Sequence, residues 1–116
     1  IVVPMYNWLE LVGVIDCLDV PTIHEFKTGK RTSEEYAGSM QPAVYGVLAA
    51  LAGHYVNQAV IHRYDQYNKK TDVSFVWLTD SYLRMGQNWI ETMASEMHAY
   101  FLEYDLYSKF GREVSR

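Results

Sequence analysis

Gly13-Val14-Ile15-Asp16, Glu25-Phe26-Lys27-Thr28-Gly29 and Gln41-Pro42-Ala43-Val44-Tyr45 follow one another within residues 13–45. Each piece ends or opens an element. The first closes an apolar run and delivers a carboxylate. The second closes another run and delivers a carboxylate and an ammonium two positions apart, which on a strand share one face. Thr28-Gly29 then stops the strand. The third opens a helix on which a glutamine and a tyrosine four apart lie one turn apart on one side.

Upstream of this stretch, Val2 and Val3 and the run from Leu9 to Val20 read as strand. An irregular or edge segment comes first, around Pro4, Tyr6 and Asn7, and the main strand starts near Trp8. Gly13 in mid-strand marks a bulge or a close backbone approach. Asp19 to Thr22 is a turn. Thr22 to Thr28 is a second strand, antiparallel to the first because the connection is short. Ser33 is placed to cap a short turn that Gly38 breaks. Ser39 is placed to cap the main helix, which has Pro42 in its first turn and stops at Gly53. Val44, Val47, Leu48 and Leu51 give that helix an apolar stripe.

Downstream, residues 57–67 read as a third strand, 68–72 as a polar turn and 73–78 as a fourth strand. From Ser81 to Phe110 apolar residues recur at helical spacing, capped from Thr79-Asp80-Ser81 and ended by Gly111. The expected fold is a single α/β domain over residues 1–116. It has a mixed sheet of about four strands, flanked by helices, with the first two strands antiparallel neighbours.

The chain is 49% hydrophobic and 21% charged, a balance that suits one globular domain and excludes a disordered chain. No apolar stretch reaches the roughly 18 residues of a membrane helix, so no membrane partner is expected. The single Cys17 rules out an internal disulfide and any cysteine-built metal cluster. With no secretory signal in view, the expected setting is cytoplasmic. The net charge of −4 argues against broad, non-specific nucleic-acid binding, although Lys27, Lys30 and Arg31 form a local basic cluster.

The chemistry follows from the hairpin. It brings Asp16 toward Glu25 and Lys27, two carboxylates and one ammonium. Hard carboxylate oxygens suit Mg²⁺ or Mn²⁺. Such an ion polarises a phosphoryl oxygen and acidifies bound water, and Lys27 is the group to orient or deprotonate that water. This points to phosphodiester cleavage. An acid-x-lysine pair alone is commonly a surface ion pair; here the second carboxylate and the strand stop set it apart. Asp19 is a rival ligand, expected to face solvent from the turn.

Gly-x-x-Asp, a strand ending Glu-x-Lys-Thr-Gly and a helix opening Gln-x-x-x-Tyr together resemble the RecB-like branch of the PD-(D/E)XK nuclease superfamily. The likeness covers Gly13 to Tyr45 closely and the rest only in the order of elements. It implies a restriction-endonuclease-like core and a Mg²⁺- or Mn²⁺-dependent deoxyribonuclease, an exonuclease in preference to an endonuclease. DNA would be its partner, in repair, recombination or phage and mobile-element processing. By position, it implies that Asp16 and Glu25 bind metal with the Phe26 carbonyl, that Lys27 is catalytic, and that Gln41 and Tyr45 line the site. Relatives commonly carry a further His or Glu ligand on a helix before the first strand; no such helix is read here, so that ligand is expected either to lie upstream of Ile1 or to be absent altogether. The iron–sulfur cluster of some relatives is not expected, since four cysteines are needed. The alternative is a catalytically inactive domain of the same fold that binds nucleic acid or serves as a scaffold.

His24, His54, His62 and His98 show no zinc-like spacing and are read as structural or surface residues. The aromatic stripe from Trp89 to Tyr107 is read as packing, part of it available for a homo-oligomer contact or a larger parent protein. Phe26, between Glu25 and Lys27, is expected to point into the core.

Overall fold

The apolar N-terminal run is not one strand. In a computed structural model, which describes residues 1–6 and 9–104, it divides into three. β1 (Val2–Tyr6) and β2 (Leu9–Val12) form their own antiparallel hairpin, with a register shift between Pro4 and Tyr6. β3 is only Cys17–Asp19. Asp16 therefore lies in the connection just before β3, where the expectation was the far end of the preceding strand. Periodicity marks an apolar strand but does not name its partner. β2 turns away to pair with β1, and the chain from Gly13 to Asp16 is left to cross between two sheets.

The main sheet has the order β3-β4-β5-β6. β4 is Thr22–Thr28, β5 Gln58–Asp65 and β6 Lys70–Trp77. β3 and β4 are antiparallel, β4 and β5 parallel, β5 and β6 antiparallel. This is an α/β fold with a mixed four-stranded sheet, and its first two strands are antiparallel neighbours as expected. The parallel step requires a crossover, supplied by α1 (Ser33–Ala37) and α2 (Gln41–Leu51). The β5–β6 turn comes earlier than expected. The Asp65 carboxylate accepts from the backbone N–H groups of Tyr67 and Asn68, which folds the chain back before Lys70. Asx turns of this kind need only a short acceptor side chain.

Helix caps also shift by a residue. Thr32, not Ser33, caps α1, its hydroxyl accepting from Glu35 N. Ser33 is the first helical residue and is buried. Met40 precedes α2, while Ser39 Oγ donates to Tyr36 O and accepts from Gln41 N. α3 (Asp80–Glu103) is capped by Thr79 through Tyr82 N. Its expected continuation to Phe110 and the Gly111 stop lie outside the described residues.

The core sits between α2 and the inner sheet face, where Ile23 and Ala59 cluster with Ala49, Val56 and Leu78; Leu48 and Ile61 are buried as well. α3 packs along α2, and Gly86 makes the crossing close: a Cβ there would lie 2.8 Å from the Ala43 carbonyl carbon and oxygen. The opposite sheet face is open. Phe26, Phe75 and Trp77 are exposed on it, so the expected burial of Phe26 is corrected. Strand alternation did place Phe26 away from Glu25 and Lys27; what lies behind it is solvent. Met85, Trp89, Met93, Met97 and Tyr100 are exposed along α3, and Tyr104 just after it, so the packing expected of the Trp89–Tyr107 stripe is corrected for these aromatic residues; its end lies outside the described residues. Among the described residues, no helix is long and apolar enough to cross a membrane.

Candidate functional site

Register builds the site. Cys17 pairs with His24, so the residue before Cys17 falls opposite the residue after His24, and Asp16 meets Glu25. Two backbone bonds lock them. Asp16 N donates to Glu25 Oε1 at 3.2 Å, and Phe26 N donates to Asp16 Oδ2 at 2.8 Å. Lys27 Nζ stands 3.9 Å from Glu25 Oε2, on the same strand face.

Glu25 is only 3% exposed. Burial pushes its carboxyl above the ordinary value of 4.5. The Asp16 N–H opposes this, the Asp16 charge adds to it, and Lys27 opposes it again. Two close carboxylates, one desolvated, form a site that a cation would relieve. Among the described residues, no three His, Cys, Asp or Glu side chains gather to enclose an ion. Two carboxylates with open positions do fit Mg²⁺ or Mn²⁺, which keep several waters and are commonly held by one or two carboxylates and a substrate phosphate. Asp19 is exposed and pairs with Thr22 at the turn, away from Glu25.

Gln41 and Tyr45 are joined to each other: Gln41 Nε2 donates to Tyr45 Oη at 3.1 Å. Gly13 lies against this helix. A Cβ on it would meet Tyr45 Cε1 at 3.4 Å and would overlap Leu48 Cδ1. The expected close backbone approach at Gly13 is thus real, and it brings the segment leading to Asp16 onto α2. Among the described residues, no hydrogen bond or ion pair links Gln41 or Tyr45 to Asp16, Glu25 or Lys27. The structure brings the last three together and sets the first two on the neighbouring helix.

Several participants were not anticipated. Lys27 is in register with Arg63, and Arg63 with Asp72. The buried Arg63 guanidinium lies 2.6 Å from Asp72 Oδ1, a charge contact without hydrogen-bond alignment. It also lies 3.3 Å from Asp65 Oδ2 and donates to Gly29 O at 3.4 Å. Asp72 Oδ2 accepts from Ser33 N at 2.7 Å, tying α1 to the sheet. Tyr36 of α1 carries Lys27 on its ring at 5.3 Å and Arg31 at 4.7 Å. Arg63-x-Asp65 was the only trace of this network in the sequence, and it reads equally as a solvated strand face.

On the reverse face, His24 Nδ1 and His62 Nε2 are 3.0 Å apart. Phe26 stacks on His62 at 5.0 Å. The structural reading of these two histidines thus acquires a partner for each.

The chain matches no family model, no curated protein and no solved structure.

Proposed function

We propose that the chain is a metal-dependent nuclease domain of restriction-endonuclease-like, RecB-like type. It hydrolyses phosphodiester bonds of DNA, working from an end. The observation that carries this reading is the interlock of the Asp16 and Glu25 carboxylates through the backbone N–H groups of Phe26 and Asp16, with Lys27 at Glu25. Ordinary surface ion pairs do not bury one carboxylate beside a second.

Asp16 and Glu25 would hold Mg²⁺ or Mn²⁺, with the Phe26 carbonyl as a further donor. When bound, the ion polarises the scissile phosphate and lowers the pKa of a water. The chain's own part is positional. The Asp16 and Phe26 N–H groups fix both carboxylates before any ligand arrives. Tyr36 and Glu25 hold Lys27 at the mouth of the pair, where it can orient the attacking water and offset charge gathering on the phosphate. Gln41 and Tyr45 support the wall that Gly13 packs against.

Calorimetric titration with Mn²⁺, run beside cleavage of labelled linear, circular and single-stranded DNA, tests the proposal. Selective Mn²⁺ binding lost in Glu25→Gln, with cleavage of linear substrates, is the expected result. A chain that binds no Mn²⁺ and cuts nothing is a scaffold.

A further inference from the structure

Basic residues are segregated in this acidic chain. Lys109, Arg112 and Arg116 lie outside the described residues. Apart from Arg84, every other Lys and Arg falls at 27–31 or 63–70. The pairings Lys27 with Arg63 and Asp65 with Lys70 place both stretches at one end of the main sheet, the end that carries Lys27.

These cations do different work. The Arg63 side chain is 10% exposed and committed to Asp65, Asp72 and the Gly29 carbonyl. It is structural. Lys27 and Arg31 flank the Tyr36 ring. Lys30, Lys69 and Lys70 are exposed at the rim. Lys30 Nζ sits 5.5 Å above the ring of Tyr67, which is 68% exposed in the β5–β6 turn.

We infer that this rim is a track for single-stranded DNA leading to the carboxylate pair, with phosphates on Lys30, Lys69 and Lys70 and one base stacked on Tyr67. The inference rests on the phosphodiester reading above and names its substrate form. Cations interleaved with an exposed aromatic ring suit an unpaired strand, whose bases offer their faces for stacking. A duplex hides those faces, so an exposed tyrosine adds nothing to duplex binding beyond the phosphate contacts. The Asp65 turn fixes the backbone on either side of the ring, so Tyr67 is presented from a held loop.

The test is fluorescence anisotropy of the full chain in EDTA, which prevents cleavage. The probes are a labelled oligothymidylate of about 15 nucleotides and a duplex of equal length. The expected result is tighter binding of the single strand, weakening as salt rises from about 50 to about 200 mM. Tyr67→Ala should lower single-strand affinity about tenfold, and Tyr67→Phe should retain it. Lys30→Ala should reduce the salt slope by about one. These residues are exposed, so the variants should fold as the wild type does. Duplex bound as tightly as single strand, no binding of either, or indifference to Tyr67→Ala overturns the inference. The nuclease reading fails separately. Tyr67-dependent binding without any cleavage by the wild type keeps the track and removes the enzyme. Cleavage with no effect of Tyr67→Ala does the reverse.

Discussion

Glu25 Oε1 accepts the backbone N–H of Asp16 at 3.2 Å, so the residue that brings the second carboxylate also holds the first. The arrangement opposes burial of a charge with a single N–H and a lysine 3.9 Å away. A group kept ionised under such conditions is costly to the metal-free fold, and functional sites commonly carry this kind of cost. Glu25→Gln should therefore stabilise the chain at neutral pH in chelator, by on the order of 1 kcal/mol, while abolishing Mn²⁺ binding. Thermal melts with and without Mn²⁺ read both effects. A variant that melts lower than wild type in chelator contradicts the argument.

The pH dependence has two opposed parts. The folded pKa of Glu25 is raised, so its contribution to stability is full below the ordinary value of 4.5 and is lost as pH rises through the folded value. Asp72 and Asp65 are held below 3.8, by Ser33 and by Asn68 respectively. Their contribution is present above 3.8 and is lost as pH falls through the lower folded values. In chelator, melting temperature should rise on mild acidification and then fall at stronger acid. Glu25→Gln should remove the rise, and Asp72→Asn should shrink the fall. A melting profile followed across this range checks both.

Gly86→Ala should cost about 1–3 kcal/mol, because the new methyl would lie 2.8 Å from the Ala43 carbonyl and force α2 and α3 apart. Gly38→Ala is the control. Its Cβ would meet nothing closer than 3.6 Å, and its backbone is right-handed at φ −80. Denaturant unfolding of the two variants should separate them clearly. Equal stabilities would mean that the helices do not cross at Gly86.

The two sheet faces predict different tolerance. Ile23→Ala removes a fully buried side chain and should cost about 2–5 kcal/mol. Phe26→Ala removes a ring that is 58% exposed and leans on His62, so it should cost under about 1 kcal/mol. Chemical denaturation decides it; the reverse order would put the core on the wrong side of β4.

Much of this was legible in the chain itself. In β4 Glu25 and Lys27, two apart, share a face before the Gly29 stop, α2 shows a proline-opened apolar stripe, and the short Val20-Pro21 connection forces Asp16 and Glu25 together. Other features had no local cause. The split of the first strand depends on β2 choosing β1, a partner that an apolar run does not specify. Phe26 faces out because nothing among the described residues covers that side of the sheet, which no residue in β4 announces. Arg63 is engaged by Asp72 across the sheet, and Asp72 in turn by Ser33 of α1, pairings that nothing local to Arg63 announces. The turn after β5 depends on the Asp65 carboxylate reaching forward, against which the polar run 68–72 looked the better turn.

Lys27 carries the central claim. Its ammonium is held between Glu25 and the Tyr36 ring, and it binds no metal, so Lys27→Ala should leave Mn²⁺ affinity intact or slightly higher. Cleavage should fall on the order of a hundredfold or more, as losses of a positioned base or charge stabiliser do. Lys27→Arg should not rescue it, because guanidinium does not give up a proton and needs more room. The direct measurement is the rate of Mn²⁺-dependent cleavage of end-labelled linear DNA by wild type and Lys27→Ala at matched metal saturation. Cleavage by the wild type that collapses in Lys27→Ala is the predicted result. Cleavage that survives the substitution unchanged would reduce Glu25-Phe26-Lys27 to an ordinary strand ending.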